Sequence, residues 1–164
     1  MEARLSEPRS GCPINQSVEV LGDRWSLIVL RDIMFGNFRT YGEIHSNSLE
    51  GIATNILADR LKGLVADGLL SATPDPTHRQ RTIYRLTEKA IDLVPVMVAL
   101  GNWGVKHLTP FRELAARSIA LQKGGPEMWE AFAVELRHLH RGAPKSERSV
   151  MAELQADYLA AGGS

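Results

Sequence analysis

The sequence predicts a mainly α-helical protein with one small β-hairpin. Three observations lead to that class. Apolar residues recur at helical spacing along most of the 164-residue chain, strand-like residues gather in only two short runs, and a loop with two prolines joins those runs. A composition of 44% hydrophobic and 23% charged residues supports a globular core over a disordered chain. At this length one cooperative unit with attachments is expected, not two large domains.

Pro13 suits the first position of a helix, where its missing N–H is no loss, which makes Cys12 the N-cap. Val18, Leu21, Trp25 and Ile28 then form one apolar face, and Val20, Leu27, Leu30 and Met34 a second. A helix apolar on two sides is buried on two sides. In so small a chain the second partner is expected to be another copy of the chain, and Gly36 offers the stop. "TYGEI" carries a capping box, Thr40 with Glu43, that opens a short helix at about Tyr41. "SNSLEG" is turn material. "ATNILADRLKGLVADG" resumes helical spacing through Ile56, Leu57, Leu61, Leu64 and Val65, and Gly68 is expected as a left-handed cap with Leu69 closing it.

Next, "LLSAT" and "RTIYRL" read as strands and "PDPTHRQ" between them as a loop. Thr87 can cap a long helix through Ile91, Val94, Val98, Leu100 and Trp103, in which Pro95 marks a kink or break. Beyond Thr109, Phe111, Leu114 and Leu121 suggest one helix. Trp129, Phe132, Leu136 and Leu139 suggest another opened by Pro126, and Met151, Leu154 and Tyr158 a third. Gly124-Gly125 and Gly142-Ala143-Pro144 are the breaks.

Basic and acidic residues balance at 19 each, and neither half of the chain is basic. One stretch is one-sided: "THRQRTIYRLT" holds His78, Arg79, Arg81 and Arg85 with no carboxylate. Two helices across a tight turn, then a hairpin and a long helix, is the order of a winged helix-turn-helix, with the hairpin as the wing. A loop lying along DNA gains from cations, so Arg79 and Arg81, with His78 beside them, are expected on phosphates or in the minor groove. Arg85, nearer the strand's end, is read as structural.

The second helix of the motif is expected in the major groove, Thr54 and Asn55 in its first turn. Asn55 is the leading residue for base readout, since asparagine can pair twice with adenine. Lys62 suits a backbone contact, Arg60 borders the apolar stripe and could equally brace the fold, and Arg39 with Thr40 suits a phosphate at a helix N-terminus.

Cys12-Pro13, "GDRWSLIVLRDIMFG", "YGEI", "GIATNILADRLKGLVADGLL", "YRLTEKA" and "NWG" follow one another in an order that resembles the HxlR-type regulators, winged-helix transcription factors related to the MarR group. The resemblance runs from about Cys12 to Gly104. It implies a cytoplasmic bacterial repressor or activator that binds double-stranded DNA at a two-fold operator as a homodimer, through an interface of the first and last core helices. Val18, Leu21, Trp25, Ile28, Leu100 and Trp103 are the interface residues expected on that basis. The sequence departs from the family where the recognition helix opens. Ala53, Thr54 and Asn55 stand in place of serine, proline and a basic residue, which moves the expected cap to Thr54 and leaves the operator sequence open.

Several members of that family sense oxidants or electrophiles through a cysteine near the N-terminus, and Cys12 matches the place. A helix dipole favours the reactive thiolate there. The alternative is a small apolar residue packed at the dimer interface. An oxidant or a small molecule is the effector class to consider. The expected organisation is an arm over 1–11, a winged helix-turn-helix DNA-binding and dimerisation domain over 12–109, and a helical extension over 110–164. The extension packs on the core or on the partner, and an effector pocket beside it stays open as a reading.

Other function classes find less support. A thiol enzyme needs a base beside Cys12, and His45, His78, His107, His138 and His140 fall in no recognised arrangement. His138 and His140, two apart on a helix, point to different sides, so neither a metal nor another cofactor is expected. Trp25, Trp103 and Trp129 read as core or interface anchors. A single cysteine excludes an intrachain disulfide and a multi-cysteine zinc site. No run reaches the ~20 apolar residues of a membrane span, and "MEARLSEPRSGCP" lacks the apolar middle of a signal peptide, so the cytoplasm is the expected location. The alternative reading is a winged helix that binds protein and not DNA.

Overall fold

A computed structural model describes residues 7–164, which form two compact units, 7–84 and 85–164. In the first, α1 (Pro13–Leu21), α2 (Ser26–Gly36), α3 (Tyr41–Ser46) and α4 (Thr54–Ala66) precede a hairpin of β1 (Leu70–Asp75) and β2 (His78–Leu86). The last residues of β2 belong to the second unit, with α5 (Glu88–Ile91), α6 (Val94–His107), α7 (Arg112–Arg141) and α8 (Val150–Ala160).

The single helix expected over residues 13–36 is two helices. Gly22 donates its N–H to Val18 O at 2.6 Å and ends α1. Asp23 then starts α2: its Oδ1 accepts the N–H groups of Trp25 and Ser26 at 2.9 Å each, and its Oδ2 accepts the Ser26 hydroxyl. A short acceptor side chain just ahead of a helix satisfies donors that the first turn leaves open. Asn37, left-handed at φ 53°, closes α2 after Gly36.

Val29, Leu30, Ile33 and Met34 of α2 are buried, together with Ile44 of α3 and Leu57, Leu61 and Leu64 of α4. These are the facing apolar stripes of helices α2, α3 and α4, which pack on one another. The capping box of α3 forms as expected, with Glu43 N–H on Thr40 Oγ1 at 3.3 Å and Thr40 N–H on Glu43 Oε2 at 3.0 Å. The turn to α4 is fixed from outside by Arg31, whose Nη1 and Nη2 reach the two carboxylate oxygens of Glu50 at 2.7 and 2.8 Å. At its far end α4 closes in a Schellman motif. Gly68 sits at φ +70°, its N–H reaches Val65 O at 3.0 Å, and Leu69 N–H reaches Leu64 O at 2.9 Å.

The hairpin is tighter than the expected loop over residues 74–80. Only Pro76 and Thr77 form the turn, and His78, Arg79 and Gln80 belong to β2. Asp75 explains this: its Oδ1 accepts both the N–H and the hydroxyl of Thr77 at 2.7 Å, which folds the chain back at once. On β2, Ile83 also bridges Thr40, with Tyr84 N–H on Arg39 O at 2.7 Å, so the residues that open α3 are tied to the wing.

In the second unit the expected long helix from Thr87 breaks at Asp92 and Leu93, and Pro95 lies in the first turn of α6. Helix α7 runs as one 30-residue element bent at Gly125, whose φ of 61° and ψ of −165° are not helical; Pro126 starts its second half. Trp129 Nε1 donates to Leu121 O across the bend at 2.6 Å. Val94, Met97 and Val98 of α6, Leu121, Phe132 and Leu136 of α7, and Val150 and Leu154 of α8 form the core of this unit, with α7 packed on both α6 and α8. The segment from Phe111 onward thus packs on the last core helix.

Buried His140 faces Leu86 N–H at 3.3 Å, whereas His138 Nδ1 lies 2.7 Å from Ala143 O. Among the described residues no helix is long and apolar enough to cross a membrane.

Candidate nucleic-acid interface

Helix α4 turns its leucines inward and presents Thr54, Asn55, Ala58, Asp59 and Lys62, all exposed. Its N-terminus stays open. Ala53 is the N-cap and has no side chain with which to cap, and Thr54 is the first helical residue instead of the expected cap. The N–H groups of the first turn therefore have no side-chain cap and keep their partial positive charge. The entry angle of α4 is set by Tyr41, whose hydroxyl donates to Thr54 O at 2.9 Å.

On the wing, His78, Arg79 and Arg81 are all exposed. Arg81 is held within the hairpin: its Nε donates to Asp75 Oδ2 at 2.5 Å and its Nη2 to Thr77 Oγ1 at 3.4 Å. Asp75 is buried, and the Thr77 hydroxyl and N–H, helped by Arg81 and opposed by burial, hold its carboxyl down at about 2. Arg79 carries its charge outward without such a partner among the described residues.

Two further cations turn inward. Arg60 Nη1 lies 3.1 Å from Asp23 Oδ2, so it braces the start of α2 from α4. Burial works against ionisation of Asp23, but hydrogen bonds from Ser26 and Trp25 and the Arg60 charge hold its carboxyl below the usual range. Arg39 Nε donates to Asn37 Oδ1 at 2.8 Å. The backbone N–H groups of Arg39 and Thr40, offered to a phosphate by the sequence pattern, both donate to Glu43, whose carboxyl is lowered chiefly by the Arg39 N–H. Sequence reasoning found these cations and missed their partners Asp23 and Asp75. "DRW" ahead of a helix and "DPT" at a turn are the signals that point to both acids.

The residues expected at a dimer interface lie on three helices, Val18 and Leu21 on α1, Trp25 and Ile28 at the start of α2, and Leu100 and Trp103 on α6. Val18 on α1 is 52% exposed, with Ile14 at 74% beside it. Leu100 and Trp103 on α6 are 51% and 56% exposed, and Val96, four residues before Leu100, is 45% exposed. Leu21, Trp25 and Ile28 are half-buried. Cys12 caps α1 through its backbone, Gln16 N–H reaching its carbonyl at 3.0 Å, and its thiol is exposed.

A helix-turn-helix followed by a two-stranded wing is the architecture of the winged helix-turn-helix proteins. The chain belongs to one family among them: the HxlR-like helix-turn-helix family, whose model matches residues 20–112. An uncharacterised HTH-type transcriptional regulator of Mycobacterium tuberculosis is 36% identical over 104 residues, which is 63% of this chain and 64% of that protein. The match thus spans just under two thirds of that relative's length. One from Synechocystis is 33% identical over 93 residues, 57% of this chain and 67% of that protein. Among solved structures, PA1607, described as a transcription factor, is similar at a TM-score of 0.58 and 37% identity, over 65% of this chain and 72% of that one. A protein from Porphyromonas gingivalis W83, described as a MarR-family transcriptional regulator, is similar at a TM-score of 0.53 and 25% identity, over 65% of this chain and all of that one.

Proposed function

We propose that this chain is a cytoplasmic, sequence-specific DNA-binding transcriptional regulator that acts as a homodimer on a two-fold operator. The single observation that carries the reading is the outward face of α4: an open helix N-terminus with exposed Thr54, Asn55 and Lys62. Donor-rich side chains on such a face match the acceptor-rich edges and phosphates of a major groove. Exposed Arg79 on the wing supplies charge for the flanking backbone, and exposed His78 beside it a ring N–H donor. In this reading Arg60 and Arg81 position the helix and the wing, and Arg39 and Thr40 secure the start of α3. The names of the family relatives support the same function. DNase footprinting on the DNA upstream of neighbouring genes tests it: a symmetric protected site is expected, and protection absent at every site overturns it.

The homodimer reading rests on the apolar faces of α1 and α6, since Val18, Leu100 and Trp103 each leave half or more of their surface uncovered within one chain. A thiol-sensing role for Cys12 is favoured by its exposure at the start of α1. Diamide or dilute peroxide is expected to modify Cys12 and weaken operator binding. Modification without change in binding removes that role.

A further inference from the structure

Asp59 is the one acidic residue of α4, and it is exposed. At ~100° per residue Asn55, Asp59 and Lys62 fall within about 60° of one another, opposite the buried Leu57, Leu61 and Leu64. Asp59 therefore lies one turn beyond Asn55 and one turn before Lys62 on the face assigned to the major groove. Among the described residues its side chain forms neither a hydrogen bond nor an ion pair; its neighbour Arg60 pairs with Asp23 instead.

A carboxylate in that place is repelled by the phosphates of a duplex. It is tolerated without loss only where a base donates a hydrogen bond to it. An ionised carboxylate accepts and never donates. Two bases present an amine in the major groove, adenine at N6 and cytosine at N4. Adenine sets its N7 acceptor beside the amine, against the second carboxylate oxygen, whereas cytosine has no acceptor of its own on that edge. The short aspartate side chain also needs a close approach, and exposed Ala58 next to it leaves the helix surface low enough for one.

We infer that Asp59 is a specificity-determining residue that accepts a hydrogen bond from cytosine N4 at one position of each operator half-site; this rests on the DNA-binding reading above. The same carboxylate repels every duplex that lacks the cytosine, so it discriminates by penalty as well as by contact.

Selection of bound duplexes from a random DNA pool by the full chain, its Asp59→Ala variant and its Asp59→Asn variant tests the inference. The exposed position leaves the fold intact, which circular dichroism checks. The wild type is expected to enrich a symmetric motif with one cytosine per half-site whose discrimination falls at least about fivefold in Asp59→Ala. The other positions keep their preferences, and affinity for unrelated DNA rises. In Asp59→Asn the preference at that position moves towards adenine, which an amide can pair twice. A wild-type motif that Asp59→Ala reproduces unchanged, or a loss that falls on an adenine, overturns the inference and leaves the DNA-binding reading standing. A wild type that enriches no motif overturns both.

Discussion

Among single residues, Asp75 controls the wing, because one buried carboxylate fixes the turn through Thr77 and the guanidinium of Arg81. Its carboxyl lies at about 2, below the ordinary aspartate value of 3.8. A depressed folded value stabilises the fold above the unfolded value, and that contribution is lost as pH falls through the interval from about 4 to about 2. The Tm is therefore expected to fall over that interval, and to fall less steeply in Asp75→Asn. Equal steepness in the two proteins, by scanning calorimetry, excludes the role. In the proposed reading Asn55 and Arg79 differ in kind. Asn55→Ala is expected to change which duplexes are preferred, while Arg79→Ala weakens binding to all of them and reduces the salt slope by about 1. Competition binding on matched and mismatched duplexes separates these outcomes. The outward position of Arg79 and Asn55 was legible in the sequence, from the one-sided charge of the wing and from helical phase. Arg60 and Arg81 were legible only as cations, because a charge pattern along the chain does not show which acid folds back against it.

At the level of elements, α4 starts without a side-chain cap, since its N-cap alanine offers no acceptor. Ala53→Ser supplies one and is expected to add about 1 kcal/mol of stability, read as a higher Cm in urea denaturation. An unchanged or lower Cm means that the open N–H groups are already satisfied. The helix ends that carry local chemistry were legible: the capping box of α3, the Schellman close of α4 at Gly68, and Pro13 at the start of α1. The break between α1 and α2 was not, because apolar spacing continues across Gly22 and Asp23 and hides two capping signals in one run. The wing was placed correctly but read with too long a loop. Prolines and polar residues mark a turn, yet the side chain of Asp75 decides how few residues it takes.

Over the whole molecule, the mainly helical fold with one hairpin follows from periodicity alone, and the family assignment from motif order. What periodicity could not settle is the covering of the apolar faces it revealed. The extension from Phe111 packs on α6 within the second unit, yet Val96, Leu100 and Trp103 remain exposed. A second copy of the chain would bury them, and the loss of that burial sets the expected effect of a charge there. Leu100→Asp is expected to give folded monomers by sedimentation equilibrium and to lower operator affinity by at least about tenfold. A variant that remains dimeric places the interface elsewhere. The measurement that bears most directly on the reading as a whole is a salt series of fluorescence-anisotropy titrations on a footprinted duplex, with the stoichiometry fixed at low salt. Two chains per duplex are expected, with a logarithmic slope near −5 if about six phosphates are neutralised. One chain per duplex, or a slope close to zero, would show that neither the paired helices nor the cationic wings meet DNA as described.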